Sequence, residues 1–538
     1  MSARVKSEKI GTRSMRHQNL PRVTYSNIGS DFAPLHDMLD TAIPAFKKSL
    51  GKSRPNVIAN EPDRDGESYL AHSPIDKRVV LGEFVEASVD AIERATIAAR
   101  AAFRTWSGTP WKTRVEALRR AAEMLERRKY DLGIACLIEV GKSRLEAIGE
   151  AEEAHDLIAY YCDEMERNDG FQRDMTRAFP NESTRVVLRP IGVFGVIAPF
   201  NFPLALSANM ISAALLGGNT VIYKPSPRAG LTGSLLAEAF LAAGLPAGAF
   251  NLVCGETAGA LIVDHPEIDG IAFTGSHAVG MEIFRKFSRG RYARPVIVEM
   301  GGKNPAYVSA KADLDAAAEG VMRSAFGLQG QKCSACSVVY VERAVHQDFL
   351  HRLRDRTAGI KIGNPEQRDI YMGPLIDADA CRRYADAVAR GHKDGKIVHG
   401  GKRLTGGAFD YGHYVEPTIV AGLPDGHPLA RDELFLPFLV VLPCPSLAEG
   451  IARGNQVLYG LTAGVYTQDP KELELFFDTA EAGVLYANRR SGATTGAWPG
   501  IQSFCGWKGS GVSNKGGLGP FYLPQFMREQ SRTAMGVS

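Results

Sequence analysis

The chain has 538 residues, 45% of them hydrophobic and 23% charged, and its 63 basic residues against 60 acidic ones leave a formal net charge of +3. That length exceeds one ordinary core and implies two or more domains, while the charge balance excludes binding to nucleic acid or an anionic membrane through bulk charge. Eight cysteines scattered over such a length form no disulfide framework and point to a reducing compartment.

In chain order, residues 1–60 read as an irregular N-terminal extension. Its start carries Arg4, Lys6, Lys9, Arg13, Arg16 and Arg22 against Glu8 alone, a basic arm without the apolar core of a secretory leader. Residues 87–165 predict helices: Ala91, Ile92, Ala95, Ile97, Ala98, Ala101 and Ala102 share one face, and Val115, Leu118, Ala121, Ala122, Met124 and Leu125 another. Strands follow at 185–189 and 192–197. The stretch 191–216 is the most apolar, but Pro199, Asn201, Pro203, Ser207 and Asn209 break it, so it predicts no membrane span. Strands at 220–223, 250–253 and 271–273 alternate with helices at 232–243 and after Ser276, the rhythm of a parallel α/β sheet. A second series runs through 306–308, 338–341, 439–441 and 464–466. Two α/β domains in series result, 61–300 and 301–505, followed by a glycine-rich arm at 506–538.

Cys333 stands among small residues in Gly330-Gln331-Lys332-Cys333-Ser334-Ala335, and Glu299 in Glu299-Met300-Gly301-Gly302-Lys303-Asn304-Pro305. A cysteine and a carboxylate suit covalent catalysis, the thiolate forming an acyl intermediate and the carboxylate activating the water that removes it. Asn201, in Pro199-Phe200-Asn201-Phe202-Pro203, is braced to donate N–H to an oxyanion or simply to tie a loop. Phe273-Thr274-Gly275-Ser276, with Gly280 beyond it, marks a strand-to-helix turn suited to a pyrophosphate or to a tight turn alone, and Lys224 ends a strand where it could meet a ribose or phosphate. Gly141-Lys142-Ser143 lacks the earlier glycine of a phosphate loop, since Cys136 stands there. Cys333-x-x-Cys336 has no second pair for zinc and no redox context. Neither a His-Glu-x-x-His helix nor a Gly-x-Ser-x-Gly elbow is present, and no metal is expected.

Taken in order, these segments, with Lys224-Pro225-Ser226, Glu433-Leu434-Phe435, Tyr459-Gly460-Leu461-Thr462 and Asn488, resemble the aldehyde dehydrogenase superfamily over about residues 65–535. The segment 326–335 and Gly492-Ala493 are similar to the branch that oxidises L-glutamate γ-semialdehyde to glutamate. The resemblance implies an α/β fold of two Rossmann-type domains, 61–300 for the dinucleotide and 301–505 for catalysis. It also implies an oligomerisation flap from the strand pair 184–197 and a tail, 518–535, that pairs with a neighbouring subunit. By the same resemblance Cys333 is the nucleophile, Glu299 the base and Asn201 an oxyanion donor; Lys224, Ser226, Gly275, Ser276, Gly280, Glu433 and Phe435 hold NAD or NADP. Ser334, Gly492 and Ala493 hold a substrate carboxylate between Phe202 and Phe504. A cytoplasmic homo-oligomer acting on a small aldehyde is implied, and a hydrolytic base disfavours acyl transfer to coenzyme A.

The chain departs from the family's pattern at several positions. Pro227 and Arg228 stand where many NAD-preferring relatives carry a ribose-binding carboxylate, which leaves NADP open. Leu436 replaces a usual glycine, and the loop between Gly492 and Phe504 is long. Another polar aldehyde or semialdehyde is therefore an alternative substrate. A non-catalytic oligomeric binding protein is a remote alternative, opposed by the joint presence of Cys333, Glu299 and Asn201.

Overall fold

A computed structural model describes residues 20–24, 27, 31–290, 292–490 and 497–536. Two seven-stranded sheets organise the chain. In the first, the strands run in the spatial order Val296–Met300, Gly270–Gly275, Val193–Ile197, Thr220–Lys224, Phe250–Leu252, Asn56–Ile58 and Glu61–Asp63. The first five are mutually parallel, and the last two are added antiparallel. Val193–Ile197 and Thr220–Lys224 are buried at every position, as expected of strands covered by helices on both faces. From Val193–Ile197 the chain first builds outward one way and then returns to build the other way. The order therefore switches beside that strand, and the crevice at the strands' carboxyl ends is where such sheets bind ligands.

The second sheet runs Lys396–His399, Thr418–Ala421, Phe438–Cys444, Cys336–Glu342, Asn304–Val308, Thr462–Tyr466 and Val484–Ala487, with only its first pair antiparallel. The sequence motifs fall on facing ends of the two sheets. Asn201, Lys224, Gly275 and Glu299 stand at carboxyl ends of the first, whereas Cys333, Asn304, Glu433 and Thr462 stand at amino ends of the second.

Helices Val89–Trp106, Trp111–Val140 and Arg144–Arg167 occupy the predicted 87–165 region. Gly141, left-handed at φ 77°, closes the second of them, so Gly141-Lys142-Ser143 is a turn between long helices rather than a phosphate loop. The apolar 191–216 stretch is a central strand followed by the helix Ala205–Leu216, buried at 11 of its 12 residues. Among the described residues no helix is long and apolar enough to cross a membrane.

Two expectations need correction. Residues 1–60 are not irregular throughout: Ala33–Lys47 is a helix that buries Leu35, Leu39 and Ile43, and Asn56–Ile58 extends the first sheet. Pro44 inside that helix and the flanking polar residues hid the four-residue apolar spacing. The strand pair 184–197 does not act as one flap. Glu182–Pro190, whose outward positions are polar, joins Gln172–Asp174 and Met527–Met535 in a separate three-stranded sheet, while the fully apolar Val193–Ile197 becomes the centre of the first sheet. On the inner side of the tail strand in this three-stranded sheet, all nine residues of Met527–Met535 lie antiparallel to Glu182–Pro190 of the same chain.

Asn219 ties these parts together. Its Oδ1 accepts from the N–H groups of Ile191 (2.7 Å) and Gly192 (3.0 Å), and its Nδ2 donates to Ala214 O (3.0 Å) and Phe526 O (2.8 Å). The side chain is fully buried. Asn219→Ala would strand buried polar groups costing about 1–3 kcal/mol each. It should lower the denaturant midpoint clearly in an equilibrium unfolding curve; an unchanged midpoint would contradict this junction.

Candidate active site

Cys333 follows a tight turn, Gly327–Gly330, in which Leu328 (φ 46°) and Gln329 (φ 56°) are both left-handed. Two successive non-glycine residues in that region are strained and need outside support. Gln329 supplies it, Nε2 donating to Gly141 O (2.9 Å) and Pro374 O (2.7 Å). Gln331 Oε1 accepts from Ile376 N (3.0 Å). Gly330 admits the neighbouring chain, since a Cβ there would lie 2.2 Å from the carbonyl of Leu436. Leu436, one of the departures, thus packs its backbone on the nucleophile's turn.

Asn201 is 3% exposed and donates Nδ2 to Gln331 O at 3.1 Å, so one amide hydrogen anchors it beside the Cys333 turn and the second stays available. Its loop is braced from below. Glu150 accepts from Leu204 N (2.7 Å) at the start of the following helix and pairs with Lys142 at 2.5 Å, both residues being buried. The Lys142 ammonium lies 3.6 Å from the centre of the Phe202 ring, a desolvated cation–π contact. Phe202 and Phe504 are both half-buried against the same core.

Glu299 ends its strand against the segment that begins the tail, accepting a backbone hydrogen bond from Gly506. Its Oε2 is sealed from solvent and has no hydrogen-bond partner among the described residues. Burial pushes its pKa well above the usual carboxylate range. Glu433 accepts from Gly302 N at 2.9 Å, and burial raises it to about 7. Gly301 makes room for it, because a Cβ would stand 2.0 Å from Glu433 Oε2. Cys333 is raised to about 12, by burial first and then by the Glu433 and Glu299 carboxylates. Phe435, itself left-handed at φ 57°, sets its ring edge-on to Phe200 with centres 6.0 Å apart.

The dinucleotide candidates lie along the first sheet. Lys224 is 7% exposed and has no hydrogen-bond partner among the described residues, and burial lowers its pKa. A lysine with a buried stem and no hydrogen bond on its ammonium among the described residues, at a strand's carboxyl end, fits a polyol or phosphate ligand. Ser276 caps the helix His277–Phe287, its Oγ accepting from Val279 N at 3.4 Å. Gly275 and Gly280 have packing roles: a Cβ would lie 2.4 Å from the Phe273 ring at the first and 2.6 Å from Met300 Sδ at the second. Ser226 Oγ accepts from Arg228 N, and Arg228 pairs with Asp377 at 2.5 Å and lies 3.9 Å from Glu256. Its charge is thus already matched. Ser334 is buried beside Cys333; Gly492 and Ala493 lie outside the described residues.

Sequence reading missed four supporting groups. Lys332, next to the nucleophile, pairs with Glu146 at 2.8 Å. Gln329, the Lys142–Glu150 pair and Asn304 brace the site without touching a ligand position. Lys142 and Asn304 stood in quoted motifs, but only tertiary contacts give them meaning. Cys336 begins a strand and directs Sγ to Val338 O at 3.6 Å. All eight cysteines are free, and the described residues hold no cluster fit for a metal ion.

An α/β pair of sheets with a cysteine, a carboxylate and a carboxamide at their facing ends defines a thiol-dependent, dinucleotide-linked enzyme class, and comparison identifies the class. The chain belongs to the aldehyde dehydrogenase family, whose model matches residues 62–531. It is 35% identical over 493 residues to 1-pyrroline-5-carboxylate dehydrogenase of Anoxybacillus flavithermus, covering 90% of this chain and 94% of that protein. The structure of 1-pyrroline-5-carboxylate dehydrogenase from Thermus with bound NAD superposes with a TM-score of 0.90 at 32% identity, covering 97% of this chain and all of that one (100%). Proline utilization A from Bdellovibrio bacteriovorus matches at 34% identity and a TM-score of 0.88, over 93% of this chain and 52% of that longer protein.

If Glu433 helps hold Cys333 protonated, Glu433→Gln should lower the pH midpoint for iodoacetamide alkylation of Cys333, read by peptide mass spectrometry. A midpoint that stays put or rises would remove Glu433 from that role.

Proposed function

We propose that the chain oxidises L-glutamate γ-semialdehyde, the open form of Δ1-pyrroline-5-carboxylate, to L-glutamate with NAD or NADP as oxidant. The observation that carries the reaction type is the gathering of Cys333, the Asn201 amide and the Glu299 carboxylate, whose Oε2 is sealed without a partner among the described residues, at the facing ends of the two sheets. Buried Ser334 beside the nucleophile, together with the names of the relatives, supports a carboxylate-bearing aldehyde.

In this reading Cys333, once deprotonated, adds to the aldehyde carbon. The free amide hydrogen of Asn201 and the Cys333 N–H then hold the oxyanion. A bound dinucleotide would supply the hydride acceptor for that carbon, and Lys224, Ser226, Ser276, Glu433 and Phe435 are the residues that would hold it. What remains on Cys333 is a thioester. Glu299, having given up its proton, takes one from water; the hydroxide adds to the acyl carbon, the C–S bond breaks, and the acid leaves. The pKa of Glu299 is raised by burial, so this step should gain rate as pH rises. NAD and NADP both fit, with the Asp377 partner of Arg228 favouring NAD.

Self-association is part of the same reading. The strand Met527–Met535 is exposed at eight of its nine residues and forms the outer edge of its small sheet, an edge suited to contact with another copy. Eight unpaired cysteines favour a reducing, cytoplasmic setting.

With pyrroline-5-carboxylate and NAD⁺ or NADP⁺, reduced-cofactor absorbance should rise, and Cys333→Ala should bring it to background. Silence with both cofactors, while a simple aliphatic aldehyde is oxidised well, would overturn the substrate assignment.

A further inference from the structure

Three of the four hydrogen-bonding positions of the Asn304 amide are engaged, and two of them grip the nucleophile's turn. Nδ2 donates to Cys333 O at 2.7 Å and Ala335 O at 2.9 Å, and Oδ1 accepts from Thr462 N at 3.0 Å. The side chain is 2% exposed. Its orientation is forced, because two carbonyls must face the NH₂ and one N–H must face the oxygen. Gly302 leaves the space: a Cβ there would lie 2.5 Å from Asn304 Oδ1 and 2.7 Å from Cys333 O. The ladder to Cys336–Glu342 also slips between Asn304 and Pro305, so the first residue of this strand is out of step with the rest.

We propose that Asn304 is the positioning residue of Cys333: by gripping the carbonyls of Cys333 and Ala335 it fixes the Cys333–Ser334 peptide, and with it the place of Sγ and the backbone dipoles that favour the thiolate. The inference rests on Cys333 being the nucleophile. The N–H groups of Ser334 and Cys333 lie near that sulfur and work against the rise that burial imposes on it. The C=O and N–H of one peptide polarise together, so a donor on the carbonyl strengthens the N–H at the other end. Asn304 itself touches no reacting atom.

The carboxylates of Glu433 and Glu299 face Cys333 from neighbouring elements and oppose the thiolate. Lys332 is held by Glu146, and Lys303 by Leu429 O at 2.8 Å. None of these groups is altered in an Asn304 variant, so a change in Cys333 acidity reports on the peptide.

The test uses Asn304→Ala and Asn304→Ser in the full chain. Cys333 alkylation by iodoacetamide is followed by peptide mass spectrometry between about pH 7 and 11, where the displacement of the rising log rate along the pH axis gives the shift of the midpoint, alongside steady-state kinetics and NAD⁺ affinity by fluorescence. The expected result for Asn304→Ala is an upward shift of the alkylation midpoint and a kcat lower by about 10–100-fold, with NAD⁺ affinity unchanged. Asn304→Ser, which keeps one donor, should fall between, and it carries the same readings if the alanine variant fails to fold. Parent-like midpoints and kcat would overturn the proposal, as would a kcat loss with an unshifted midpoint. A Cys333→Ala enzyme that still turns over would instead overturn the nucleophile assignment beneath it.

Discussion

Three acids, Cys333, Glu299 and Glu433, stand half-buried at the facing ends of two sheets, and burial is the foremost cause that raises each of them. Ionising all three together would place like charges in a dry space, where desolvation and repulsion add. Burial therefore opposes the loss of each proton. In the proposed reaction each leaves as it is needed, first from the thiol and then from the base. The same withdrawal of water strengthens every hydrogen bond that the Asn201 amide offers to a developing oxyanion.

Holding charges apart from water needs rigid surroundings, and the structure supplies them with amides, glycines and one buried ion pair. Gly301 and Gly302 bring backbone within reach of the Glu433 carboxylate and the Asn304 amide, distances no Cβ would allow. Gln329 holds the left-handed turn ahead of the nucleophile. The Lys142–Glu150 pair caps the helix after Asn201 and presses on Phe202. Such a pair adds little to stability, because both ions lost their water to form it; its effect here is to fix the loop's geometry. The tail contributes too, since Gly506 donates to Glu299 and Ser510 Oγ bonds to Gly301 O at 2.7 Å.

Much of this was legible in the sequence where function rests on local pattern. The alternation of apolar strands and helices located both sheets, and the ordered motifs pointed to Cys333, Glu299 and Asn201. Pairing was less legible. Residues 182–197 read as two adjacent strands, and nothing in their order says that one belongs to the central sheet and the other to a separate ribbon. The tail's partner was hidden for the same reason. Gly275 and Gly280 looked like ligand-approach glycines, yet both are needed for packing on Phe273 and Met300. Asn304, Gln329 and Glu150 carried no local signal, because their partners lie far along the chain.

The central claim is that the acyl group passes through Cys333 and leaves by way of Glu299. It is tested most directly by mixing Glu299→Gln enzyme with pyrroline-5-carboxylate and NAD⁺, quenching in acid within one turnover, and mapping the digest by mass spectrometry. The account predicts a glutamyl thioester on the peptide containing Cys333. No adduct, or one confined to Cys336 or Cys505, would contradict it.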